Sequence, residues 1–219
     1  MKRAYRAWAV PAVAIAAMVG SGAWMLTQGQ GVGVWGSGAV DGYGMMGDGW
    51  YSGAESGGDR APVPGLAEAR TRAQTFAADL GPGMTVGEVM QFQRQYYAEL
   101  VQPDGSLATE VLIDPGSGAV QIEPGPARMW NARYGMMGRR SATAEIDAVE
   151  AQQIADRWLA DQGGAPALTA GAADAFPGYY TLHTLRDGQV EGMLSVDATT
   201  GDVWYHSWHG GFVAMSEEP

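Results

Sequence analysis

The sequence predicts an α+β fold of two tandem modules, each a helix packed on a three- to four-stranded antiparallel sheet, and three observations carry that expectation. First, the chain repeats itself: YYAELVQPDGSLATEVLIDPGSGAV (96–120) lies without a gap over YYTLHTLRDGQVEGMLSVDATTGDV (179–203), with seven of the 25 positions identical, where composition alone gives about one or two. Second, each stretch alternates apolar and polar residues around tight-turn chemistry, Asp104-Gly105 and Asp187-Gly188, followed by Asp114 with Gly118 and Asp197 with Gly201. Third, an Ala-rich segment of helical spacing precedes each stretch, and the two segments match at Ala69/Ala151, Ala73/Ala155 and Phe76/Trp158.

Taken in order, residues 1–26 read as an export signal peptide or a signal anchor. Lys2, Arg3 and Arg6 precede an apolar run, and Ser21-Gly22-Ala23 offers the small residues that a signal peptidase reads. Positive flanks stay cytoplasmic, so both readings place the rest of the chain outside the cytoplasm: secreted, periplasmic or membrane-anchored. The only membrane contact expected is this segment, if it is not cleaved. Residues 27–63 form a Gly-rich flexible arm. The first module, 64–126, starts with an apolar stripe at Leu66, Ala69, Ala73, Phe76 and Leu80 that Gly81-Pro82-Gly83 stops. Strands are expected over 86–92, 96–101, 108–113 and 120–122. A linker, 127–142, leads to the second module, 143–210, whose helix over 146–159 takes Thr143 as its N-cap, and residues 211–219 are a tail. Strand alternation places one ring of each Tyr pair, Tyr96/Tyr97 and Tyr179/Tyr180, in the core and the other outside, while Asp114 and Asp197 cap turns.

Charge narrows the function. The chain carries −11, and every acidic residue lies at or after Asp41, which excludes the cationic footprint that nucleic-acid binding requires. With no cysteine there is neither a disulfide framework nor a lipidation thiol. Hydrolytic signatures such as HExxH and GxSxG are missing, so the expectation is a protein that is not an enzyme.

An Ala-rich helix running into Tyr-Tyr, Asp-Gly, an apolar strand and Asp-x-x-x-Gly-x-Val resembles the PepSY domain. The residues are Tyr96, Tyr97, Asp104, Gly105, Asp114, Gly118 and Val120, and again Tyr179, Tyr180, Asp187, Gly188, Asp197, Gly201 and Val203. The resemblance implies an extracytoplasmic binding or regulatory module of the bacterial cell envelope, protease inhibition included, whose partner is an envelope protein or peptide.

One motif lies outside the repeat. YGMMG occurs twice, at 43–47 and 134–138. Thioethers are soft neutral ligands that suit Cu(I) or Ag(I), so Met45, Met46, Met136 and Met137, joined by His206 and His209, are candidate metal ligands. The alternative is packing, since Met and Tyr on a glycine-rich chain fill irregular gaps across a sheet. On the packing reading no cofactor is expected, and on the other the ion is copper.

Overall fold

The computed structural model describes residues 61–136, 144–164 and 167–216. All of them fall in one compact unit, 50–219. The export segment, most of the arm, Met45, Met46, Met137 and Thr143 lie outside the described residues.

The fold is α+β. The helices are α1 (Leu66–Leu80), α2 (Pro126–Met129) and α3 (Ala148–Gln162). The strands are β1 (Thr85–Phe92), β2 (Tyr96–Val101), β3 (Leu107–Ile113), β4 (Val120–Ile122), β5 (Thr169–Phe176), β6 (Tyr179–Arg186), β7 (Gln189–Asp197), β8 (Val203–Tyr205) and β9 (Phe212–Met215). They form two antiparallel sheets, ordered β4-β3-β2-β1-β9 and β5-β6-β7-β8. Among the described residues no helix is long and apolar enough to cross a membrane.

Helix spacing sets the first burial. α1 presents Ala69, Ala73, Phe76 and Ala77 to one face of the first sheet, where they join Val89, Tyr96, Ala98, Leu100, Val111 and Ile113. Small residues on the helix let it approach the strands closely. α3 does the same with Ala151, Ala155 and Leu159 over Leu182, Leu194 and Val196. Trp158, the aligned counterpart of Phe76, is only half-buried and stacks on Tyr205 with centroids 6.1 Å apart. The α3 N-cap is Asp147, not Thr143: its carboxylate accepts the Glu150 N–H at 2.9 Å.

The opposite faces of the two sheets meet each other. Met90, Phe92, Tyr97 and Leu112 of the first sheet and Met193 of the second share one buried cluster. The layers therefore run α1, sheet, sheet, α3, with both helices outside.

Two expectations are corrected. The segment 211–219 is not merely a tail, because β9 crosses back to pair with β1, Met90 opposite Met215, and turns a four-strand sheet into five strands. β1 would otherwise expose an unpaired edge, and Phe212 packs edge-on against Phe92. The second correction concerns register. Tyr96 pairs with Ile113, but it is Tyr180, not Tyr179, that pairs with the corresponding Val196. Tyr96 and Tyr180 both face their helix, donating to Val63 O at 3.1 Å and Ile146 O at 2.9 Å. Tyr97 and Tyr179 both point between the sheets, where they are buried rather than outside. The cause is the hairpin. Strands β6 and β7 close on a two-residue turn, Asp187 and Gly188 at φ 51 and 77, the primed geometry that Asp-Gly favours. The β2–β3 connection carries the extra residue Pro103, and in a strand a slip of one residue exchanges the faces. Beyond the hairpins, Asp114 and Asp197 cap their turns as expected, accepting Ser117 N–H at 2.7 Å and Thr200 N–H at 2.9 Å.

Candidate functional site

Between the sheets, polar strand residues lie beside the apolar cluster of Met90, Phe92, Leu112 and Met193, and several of them are ionisable. Glu110, on β3, is fully buried and accepts from Tyr97 Oη at 2.7 Å and from Tyr179 Oη at 2.8 Å, one tyrosine from each sheet. Burial first, then the charge of Glu123, raises its carboxyl to about 7. Both phenols are pushed well above the usual tyrosine range, by burial and then by Glu110.

Glu123 comes directly after β4, and its N–H donates to Glu110 O at 2.9 Å. His206 comes after β8 in the same way, its N–H donating to Met193 O at 3.0 Å. The two therefore occupy corresponding places in the two sheets, and they meet: His206 Nδ1 lies 3.3 Å from Glu123 Oε1. His209, in the turn leading to β9, puts Nε2 at 2.6 Å from the same oxygen, and Trp208 Nε1 donates to it at 3.0 Å. Burial opposes the charge of Glu123, but His206 and His209 outweigh it and hold the carboxyl down at about 2. Burial also works against the His206 cation, yet Glu123 raises its pKa; for His209 burial prevails and the pKa is lowered. The resulting state is a buried Glu123–His206 ion pair with a neutral His209 donating Nε2–H.

His206 Nε2 is 3.0 Å from Ser195 Oγ, which is 2.9 Å from Thr181 Oγ1. Serine, histidine and carboxylate are thus connected in the order of a hydrolase triad. Ser195 is fully buried, however, and its hydroxyl is shared with Thr181, so a substrate carbonyl has no approach to it.

A second polar group lies nearer the rim. His183 Nε2 is 2.9 Å from Glu88 Oε1, linking β6 to β1, and the pKa of His183 is raised by Glu88 against the effect of burial. Burial, then Glu88 and Asp174, raises the Glu99 carboxyl well above its usual range.

Of the six metal candidates, the structure brings His206 and His209 together. Met136 is 73% exposed and stands apart from their buried environment, while Met45, Met46 and Met137 lie outside the described residues. Sequence reasoning missed Glu123 and Glu110. A signal for Glu123 existed, since it stands three residues after Val120, as His206 does after Val203. Glu110 sits mid-strand between Thr109 and Val111, where alternation assigns a polar residue to solvent. No family model, curated protein or solved structure matches the chain.

Proposed function

We propose that the chain is a duplicated pair of PepSY-like modules acting outside the cytoplasm as a non-enzymatic binding or regulatory unit for an envelope protein or peptide. The duplication is supported by the shared ladder of β2–β3 and β6–β7, by the tyrosines that lock each helix entry, and by Gly87 and Gly171 at matching irregularities of β1 and β5. The observation that carries the non-enzymatic reading is the burial of Ser195, His206 and Glu123. Among the described residues, Glu110, Glu123, Ser195 and His206 are spent on joining the two sheets, which leaves the outer helix faces and sheet edges open to a partner.

The test has two arms. The exported full chain is assayed against activated esters and against a secreted metalloprotease; the reading expects no hydrolysis and reversible inhibition. Ester hydrolysis that disappears in Ser195→Ala would replace it with an enzymatic function. A reporter fused after Pro219 should be active outside the cytoplasm, and neutralising Lys2, Arg3 and Arg6 should impair export.

A second reading, a Cu(I) or Ag(I) carrier using YGMMG with the histidines, is favoured by the meeting of His206 with His209. Met136, the one of these methionines among the described residues, is exposed, whereas the two imidazoles are buried. Replacing Met45, Met46, Met136 and Met137 by Leu keeps volume and removes sulfur, so loss of Cu(I) binding in that variant would decide for this reading.

A further inference from the structure

Glu123, His206 and His209 each offer a ligand atom, and these atoms lie within 4.8 Å of one another with all three side chains buried. Five buried side-chain polar atoms lack a hydrogen-bond partner among the described residues, and three of them belong to these residues: Glu123 Oε2, His206 Nδ1, whose contact with Glu123 Oε1 at 3.3 Å is an ion pair, and His209 Nδ1, across its ring from the nitrogen that faces Glu123. Burial of a polar atom without a hydrogen bond is unfavourable, and an ion held among the three side chains would satisfy two of these atoms, Glu123 Oε2 and His206 Nδ1. We propose that Glu123, His206 and His209 form a binding site for a divalent transition-metal ion of the zinc class, which ties the two sheets together.

The donor set selects the ion. Two imidazoles and a carboxylate are borderline nitrogen and oxygen ligands that suit Zn(II), Cu(II) or Ni(II), whereas Cu(I) prefers sulfur. The site therefore goes beyond the binding-module reading and uses none of the methionines. Geometry agrees: zinc bonds of ~2.0–2.2 Å put neighbouring ligand atoms about 3.3–3.6 Å apart. His206 Nδ1 and Glu123 Oε1 are 3.3 Å apart, and the 2.6 Å between His209 Nε2 and Glu123 Oε1 has to widen as the ion replaces the proton between them. That proton, and the one that charges His206, leave to solvent. Outer partners already orient two of the ligands. Ser195 holds His206 Nε2 and leaves Nδ1 for the ion, and Trp208 holds Glu123 Oε1 and leaves Oε2 as a further donor. A closed site of this kind is structural. Glu123 comes from the end of the first sheet, while His206 and His209 come from the segment between β8 and β9, so the ion would clamp the crossing by which β9 reaches β1.

Because the site is sealed, the full chain is refolded from denaturant in Zn(II), freed of excess metal and analysed. One ion per chain should be retained, Co(II) in its place should show four-coordinate visible bands, and nitrogen NMR should place the metal on His206 Nδ1 and His209 Nε2 with His183 unmoved. Glu123→Gln, which preserves shape and the acceptor for Trp208, should weaken retention at least about a hundredfold, more than the loss of an outer partner does. His209→Gln is the second variant, and circular dichroism checks that each has folded before titration. A folded parent that retains no ion overturns the proposal. So does retention that survives both substitutions and disappears only when Met45, Met46, Met136 and Met137 are Leu.

Discussion

The helix-facing and inter-sheet sides of these sheets are made by alternate residues of the same strands, yet they reach burial by opposite means. On the helix side, Leu100, Val111 and Ile113, like Leu182, Leu194 and Val196, pack against alanine stripes and carry no charge. On the other side, Glu110 and Glu123 are as completely buried, and their partners are Tyr97, Tyr179, Trp208 and two histidines. The first kind of layer derives its stability from apolar area and tolerates volume-conserving change. The second depends on every member keeping its partner, because one unpaired charge there costs more than the pair contributes. The inter-sheet layer thus combines an apolar cluster, Met90, Phe92, Leu112 and Met193, with polar partners that specify how the halves meet.

The largest expected effect tests the apolar side. Phe76→Ala should cost about 3–5 kcal/mol in chemical denaturation, and Trp158→Ala less, because that indole is half-buried beside Tyr205. Equal losses would mean that the two helix layers are equivalent after all.

Next comes the polar side. Tyr97→Phe and Tyr179→Phe each strip a donor from Glu110 and should each cost about 1–3 kcal/mol. Their coupling is the sharper measurement: in a Glu110→Leu background the two substitutions should become nearly neutral.

Dependence on pH separates the two layers further, since the buried carboxylates and histidines lie in the inter-sheet one. The Glu110 carboxyl is raised from 4.5 to about 7, so the folded state holds a proton that the unfolded chain has released, and stability falls as pH rises across that window. His206 and His183, both raised, act in the same direction: their contributions are complete below the ordinary histidine range and are lost as pH climbs through the folded values. Glu123, lowered to about 2, contributes above 4.5 and loses that contribution as pH falls towards 2, and His209, lowered, also favours the less acidic side. Urea midpoints from pH 3 to 9 should therefore decline on both flanks, and Glu110→Gln should flatten the alkaline one. A midpoint independent of pH would contradict the buried network.

The smallest effect concerns the hairpins that set the register. Gly188→Val and Gly105→Val place a β-branched residue at φ 77 and φ 84, and each should cost about 1 kcal/mol or more, read as a lowered Tm.

The local elements were legible in the chain alone. Alanine spacing marks both long helices, the bounds of β2 and β4 are those alternation predicts, and Asp114 and Asp197 cap the turns that their spacing implies. These are interactions over a few residues, and the information for them lies side by side in the chain. β5 is less legible, because TAGAADAF has weak strand propensity and becomes a strand only by pairing with β6. The remaining features depend on how distant segments pack. The identity of the repeated Tyr-Tyr suggests a gapless match, but Pro103 shifts one strand by a residue, and the period of two then turns Tyr179 towards Glu110 instead of towards α3. Whether Glu110 meets water or another sheet is likewise invisible in alternation, which says only that a residue faces away from the helix. The meeting of Glu123 with His206 and His209 joins positions more than eighty residues apart, and it exists because two sheet faces pack together and β9 crosses over to close the first.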